Sequence, residues 1–190
     1  MPLYGNYRDA HPAKLFGRRV VWLLALIVVN IISSSIIASY EDLLVGQIAL
    51  TFFIPLLIGS GGNAGLQPVT LIVRAISTND LRVTQYFKAF GKEIIVGMML
   101  GAAMGLASSV LGVVKANPTV GLVVGITMFL IIFAANIIGT TIPFLLTKLR
   151  VDPAVASSPL ITTIADAVGL LIYFFVASRI LSLPGVLPGG

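Results

Sequence analysis

The sequence predicts an all-α membrane protein with five transmembrane helices per chain, and three observations carry that expectation. Of 190 residues, 57% are hydrophobic and only 10% charged, whereas an ordinary soluble domain is roughly 25% charged. The charges fall in clusters that leave five predominantly apolar stretches, each long enough to cross a hydrocarbon core of about 30 Å, for which about 20 residues suffice. Ten of the twelve Lys and Arg lie in segments that alternate crossings would put on one side.

The first stretch runs from Val20 to Ser39, between Arg18-Arg19 and Glu41-Asp42. The second, Leu43 to Ile76, is long for one crossing and contains Pro55 and the run Gly59-Ser60-Gly61-Gly62-Asn63-Ala64-Gly65. Proline removes a backbone donor and glycine permits unwinding, so this span is expected to be kinked or broken. A break at membrane depth is tolerated only against protein or a water-filled cavity. The third stretch lies between Glu93 and Lys115. The fourth starts near Pro118, ends before Lys148 and encloses Asn136, Gly139 and Pro143. The fifth runs from about Val155 to Leu183 and contains one carboxylate, Asp166. The organisation expected is a polar N-terminal segment over 1–19, a single membrane domain over 20–183 and a short tail over 184–190.

Basic residues precede the first span, fill the loop after the second and follow the fourth; Lys115 and Arg179 are the two on the other side. By the positive-inside rule the N-terminus is cytoplasmic and the C-terminus outside, in a multi-pass cell-membrane protein. The net charge of +5 is then a topology signal and an anchor for lipid headgroups, not a nucleic-acid surface. Trp22 and Tyr173 are candidate interface anchors or packing residues, and His11 reads as an ordinary exposed residue. Without Cys there is no thiolate chemistry, and no HExxH, GxSxG or phosphate-loop pattern occurs, so an enzyme is not expected.

Asp166 is the most informative residue, because an ionised carboxylate at the centre of a membrane helix costs about 2.5 to 3.5 kcal/mol even on the lenient insertion scale. Thr162, Thr163 and Gly169 share its helical face, which makes Asp166, Thr162 and Thr163 candidate cation ligands. No Lys, Arg or His lies mid-span to pair with it. The offset must come from water, a bound cation or protonation with a bond to backbone or to Asn136. All available donors are hard oxygens, which favour Mg²⁺, Ca²⁺, Mn²⁺ or a monovalent ion over softer metals. One carboxylate is too few for a dehydrated divalent cage, whereas Mg²⁺ keeps several waters when held by one or two carboxylates. Hydrated Mg²⁺ is the species expected. Asn63 and Gln67, four apart on one helical face, would line an aqueous path. Asp152, in Asp152-Pro153-Ala154, reads either as a helix N-cap followed by Pro or as a cation site at the inner mouth. Glu41, Asp42, Asp80 and Glu93 read as loop or interface charges, with Glu93 the one expected to face the bundle.

Three segments are similar to the membrane domain of the MgtE-type magnesium transporters and channels. Arg19-Val-Val-Trp22-Leu23 resembles that family's opening of the first span. Pro55-x3-Gly59-x-Gly61-Gly62-Asn63-x-Gly65-x-Gln67 resembles its second-span signature, and Asp152-Pro153-Ala154 with Thr162-Thr163-x-x-Asp166-x-x-Gly169 its fifth. The resemblance implies a homodimer in membrane lipid with a pore on the two-fold axis and hydrated Mg²⁺ held at Asp166. It also implies an acid at the cytoplasmic mouth at Asp152, with the pore flanked by Gly59, Gly62, Asn63, Gln67, Asn136 and Gly169. Family members carry large cytosolic magnesium-sensing modules where about 19 polar residues stand here, so conduction without that brake, or gated only by the short N-terminal segment, is expected. Two rival readings remain: a carrier coupling divalent flux to Na⁺ or H⁺, and a non-conducting membrane subunit that meets a partner through Gly97, Gly101 and Gly105.

Overall fold

A computed structural model describes residues 11–151 and 158–181. The elements are helical: α1 (Pro12–Ser39), α2 (Glu41–Gly46), a 3-10 turn over Ile48–Phe53, α3 (Ile54–Ser77), a second 3-10 turn over Val83–Gln85, α4 (Tyr86–Lys115), α5 (Pro118–Lys148) and α6 (Ser158–Leu181). Where the sequence predicts five crossings, four described stretches are long and apolar enough to cross a membrane: Ile48–Ser77, Tyr86–Lys115, Pro118–Lys148 and Pro159–Leu181. The first predicted span, Val20 to Ser39, lies within the 28-residue helix α1, whose described residues include the apolar stretch Leu23–Ser39.

Helix ends follow local chemistry. α1 begins at Pro12, eight residues before the apolar stretch, because His11 Nδ1 accepts the backbone N–H of Ala13 at 3.3 Å and Pro12 needs no donor partner at the first position. His11 is exposed, and it serves as a cap. α5 starts the same way: Asn117 Oδ1 accepts from Val120 N at 2.9 Å, ahead of Pro118. α3 ends at Thr78 and Asn79, where Asn79 has φ 59°, a left-handed conformation that Asn tolerates.

The glycine run does not unwind. α3 passes through Gly59–Gly65 as continuous helix, and the irregular backbone comes earlier, at Gln47 and the 3-10 turn after it. The reason is packing. Gly61 faces Ile131, Gly62 faces Thr162, and a methyl on Gly65 would stand 3.2 Å from the carbonyl oxygen of Ala135. The small residues are taken up by close helix approach, so the run stays helical.

The bundle is built around α5. α3 lies parallel to it, with Gly61 opposite Ile131 and Gly65 opposite Ala135; α4 lies antiparallel, with Gly97 opposite Asn136, Gly105 opposite Gly125 and Gly112 opposite Gly121. A methyl on Gly105 would sit 2.8 Å from the carbonyl oxygen of Gly125, and one on Gly112 would sit 2.6 Å from Gly121 Cα. The stripe Gly97, Gly101 and Gly105, one reading of which is a partner surface, is therefore occupied within the chain by α5. α6 closes the other side of α3 and α5, and α1 packs on α6, where Tyr40 stacks on Phe174 with ring centroids 4.7 Å apart. Leu50, Leu57, Met128, Ile131, Leu170, Tyr173 and Phe174 form the buried core. Tyr173 is a packing residue, 1% exposed, whose hydroxyl donates to Leu50 O at 2.8 Å.

Alternation of the helices gathers Arg74, Arg82, Lys88, Lys92, Lys148 and Arg150 at one end and puts Lys115 and Arg179 at the other. The first end is pinned by Tyr86, whose hydroxyl lies 3.1 Å from Thr141 Oγ1 and whose ring meets Phe144 edge-on.

Candidate functional site

The site grows from the contact of α3 with α6. Gly62 has no side chain, so the α3 backbone comes against Thr162 and Asp166: a methyl there would lie 3.2 Å from Thr162 Cγ2 and 3.7 Å from Asp166 Oδ1. Asp166 is half-buried, and no described residue gives it a hydrogen bond or an ion pair. Asn136 is not its partner.

Beside this contact, α3 turns an unusual face outward. Pro55, Gly59, Asn63, Gln67, Thr70 and Arg74 are exposed at spacings of three and four, between the buried positions Leu57, Gly61, Gly62, Ala64, Gly65 and Val69. Nothing lies within 4 Å of a methyl on Gly59. Asn63 immediately follows Gly62, so the amide-bearing face and the Asp166 contact adjoin on one helix. The exposed mid-span surface of α4 is hydrocarbon, made by Met99, Leu106, Val110 and Val114, whereas α1 exposes Asn30, Ser34 and Ser35.

The other predicted residues separate. Thr162 and Thr163 both give their hydroxyl hydrogens to Pro159 O, at 3.1 and 2.6 Å. Thr163 is buried at 5% exposure, whereas Thr162 stays beside Asp166. Gly169 is buried against Ile131 of α5. Asn136 is 1% exposed and turned to α4, where Nδ2 donates to Glu93 O at 2.6 Å and to Glu93 Oε2 at 3.1 Å. A methyl on Gly97 would stand 3.1 Å from that same Nδ2. The structure thus brings Gly62, Thr162 and Asp166 together, leaves Asn63 on the adjoining exposed face of α3, and holds Asn136 in a separate α4–α5 clamp. The clamp partner, Glu93, is the residue that sequence reasoning did not join to Asn136. Its signal was the Glu93-x3-Gly97 spacing, which puts a carboxylate and a gap for an amide on one face. Asp152 lies outside the described residues. Among the described residues no group of three or more His, Cys, Asp or Glu could hold a metal ion.

The family model for MgtE divalent cation transporters matches residues 54–176, a range that contains this whole contact. The chain belongs to that family. It is similar to the magnesium transporter MgtE of Thermus thermophilus, with 43% identity over 177 residues, covering 92% of this chain and 39% of that protein. The magnesium transporter MgtE of Enterococcus faecalis is 38% identical over 169 residues, covering 88% of this chain and 37% of its own length. That of Bacillus subtilis is 36% identical over 162 residues, covering 85% and 36%. The chain therefore spans less than two fifths of the length of these relatives. MgtE proteins form a transporter family and not an enzyme family, and this member is a multi-pass membrane protein.

Proposed function

We propose that this chain forms the ion path of a Mg²⁺ channel: a homodimer of five-span protomers, N-termini in the cytoplasm, with the pore on the two-fold axis and Asp166 as the selectivity carboxylate. The observation that carries the proposal is the outward face of α3. Asn63 and Gln67 are exposed in mid-span, where contact with lipid would leave their amides without hydrogen-bond partners at a cost of several kcal/mol. A second copy across a water-filled axis covers that face and satisfies the amides. It also brings two Asp166 carboxylates toward one axis, which suits a divalent ion held by one or two carboxylates with most of its water retained. Gly62 keeps the wall beside Asp166 thin, and Asn63 and Gln67 supply amides that bond to the ion's water shell. Selectivity would then rest on the size and charge of the hydrated ion, so Ca²⁺ and Mn²⁺, which share the preference for oxygen, are the competitors to measure. Asp152 acts as an acid at the inner mouth in this scheme, and Gly59 flanks the path.

The test is uptake of Mg²⁺, Mn²⁺ and Ca²⁺ into proteoliposomes. Asp166→Ala is expected to abolish or sharply reduce Mg²⁺ uptake while the oligomer keeps its size on gel filtration; undiminished uptake would remove Asp166 from the path. The same vesicles separate channel from carrier. A channel gives unitary currents that follow voltage, whereas a carrier saturates and stops when Na⁺ or the H⁺ gradient is withdrawn.

A further inference from the structure

α3 and α5 each carry a proline inside the helix, Pro68 and Pro143, and both are buried. Proline has no N–H to close on the carbonyl four residues earlier, so α3 lacks the bond to Ala64 O and α5 the bond to Gly139 O. The two weak points meet. A methyl on Gly139 would overlap Gly65 O and lie 2.9 Å from Pro68 Cγ, so each helix is loosened where its backbone crosses the other.

The core divides at the same level. Counting toward the basic end, Ala64, Ala135 and Ala165 are the last buried members that α3, α5 and α6 give to the main cluster. A second, smaller cluster then joins Val69 to Ile161, with Leu66, Val73, Ile142 and Leu146 packed on it. There is room beside this inner unit. A cleft of about 330 Å³ separates the end of α3, at Leu71, Ile72 and Ala75, from the start of α4, at Lys88, Ala89 and Lys92, and the two helices scarcely touch elsewhere.

We propose that Pro68 and Pro143 form a paired hinge on which the inner end of α3, from Val69 to Ser77, swings into this cleft, with α5 beyond Pro143 yielding alongside. A proline bend of about 20° moves Arg74, roughly 9 Å beyond Pro68 along the helix, by about 3 Å. Thr70 and Arg74 continue the exposed face begun by Asn63 and Gln67. The swing therefore shifts the inner stretch of that face and leaves the outer stretch, with Gly62 and Asp166, in place. The inner mouth becomes a separately adjustable part of the path. That consequence rests on the ion-path reading, whereas the hinge rests on the two prolines, the divided core and the cleft.

The chain has no Cys, so Ala75→Cys/Ala89→Cys puts its only thiols on opposite walls of the cleft. A disulfide forms only when the two Cα atoms come within about 7 Å, so the rate of intrachain cross-linking under a mild oxidant in proteoliposomes reports the swing. The pair should cross-link, and about tenfold more slowly once Pro68→Ala/Pro143→Ala restores the two backbone bonds. Pro68→Ala alone should slow it by an intermediate factor. Pro118→Ala, in a first turn where no bond is missing, should leave the rate unchanged. With the prolines present, the closed disulfide should change Mg²⁺ uptake several-fold, and reductant should reverse the change. No cross-link, or one rate with and without the prolines, would overturn the hinge. Unchanged uptake in the locked protein would overturn its link to the ion path. A chain that carries no Mg²⁺ in either state would remove the function proposed above, while the cross-linking rates still decide the hinge.

Discussion

α3 and α4 are both glycine-rich membrane helices, and they use glycine in opposite ways. α4 turns Gly97, Gly101, Gly105 and Gly112 inward onto α5 and exposes Met99, Leu106, Val110 and Val114. α3 turns Gly61, Gly62 and Gly65 inward but exposes Gly59, Asn63 and Gln67. One helix has finished its packing and shows lipid a hydrocarbon face. The other shows a polar face that lipid cannot satisfy. A glycine pattern in a membrane span therefore reports close approach, and the character of the opposite face is a separate signal.

The sharpest way to break this contrast uses the absence of native cysteine. Asn63→Cys should cross-link into dimers with a short bifunctional maleimide in native membranes, whereas Leu106→Cys on α4 should stay monomeric on denaturing gels. Equal cross-linking from both would remove the distinction between the faces. Next in size is Gly105→Leu. With Gly125 O 2.8 Å from the first carbon added, overpacking of about 3 kcal/mol is expected, read as loss of monodisperse protein on gel filtration or a clearly lowered melting temperature. Asn136→Ala removes the donor to Glu93 and should cost about 1 to 2 kcal/mol of thermal stability while Mg²⁺ keeps its preference over Ca²⁺ in uptake. A changed ion preference would move Asn136 from the clamp into the path. The smallest effect is expected of Gly59→Ala, which meets nothing within 4 Å and should leave the melting temperature within the shift of about 0.5 kcal/mol typical of surface changes.

Much of the fold is written in composition and spacing. The apolar stretches ending at Ser39, Lys115 and Lys148 are bounded by charge, and the first and last of them open on Pro at the first helical position, because lipid forces a helix on any apolar segment of that length. Asp166 stood out for the same reason, as the one carboxylate that no local sequence feature could compensate. What one-dimensional reading could not decide is which neighbour each small or polar residue meets. Gly59–Gly65 looks like a break until α5 and α6 are seen to fill its inner face, and Asn136 looks like a pore residue until Glu93, 43 positions earlier in sequence, is found at 2.6 Å. Hydrophobicity and helix breaking are properties of a segment and act at short range along the chain. The partner of a buried amide, or the wall beside a carboxylate, is settled by which helices lie side by side, and that choice is made by packing between segments far apart in sequence.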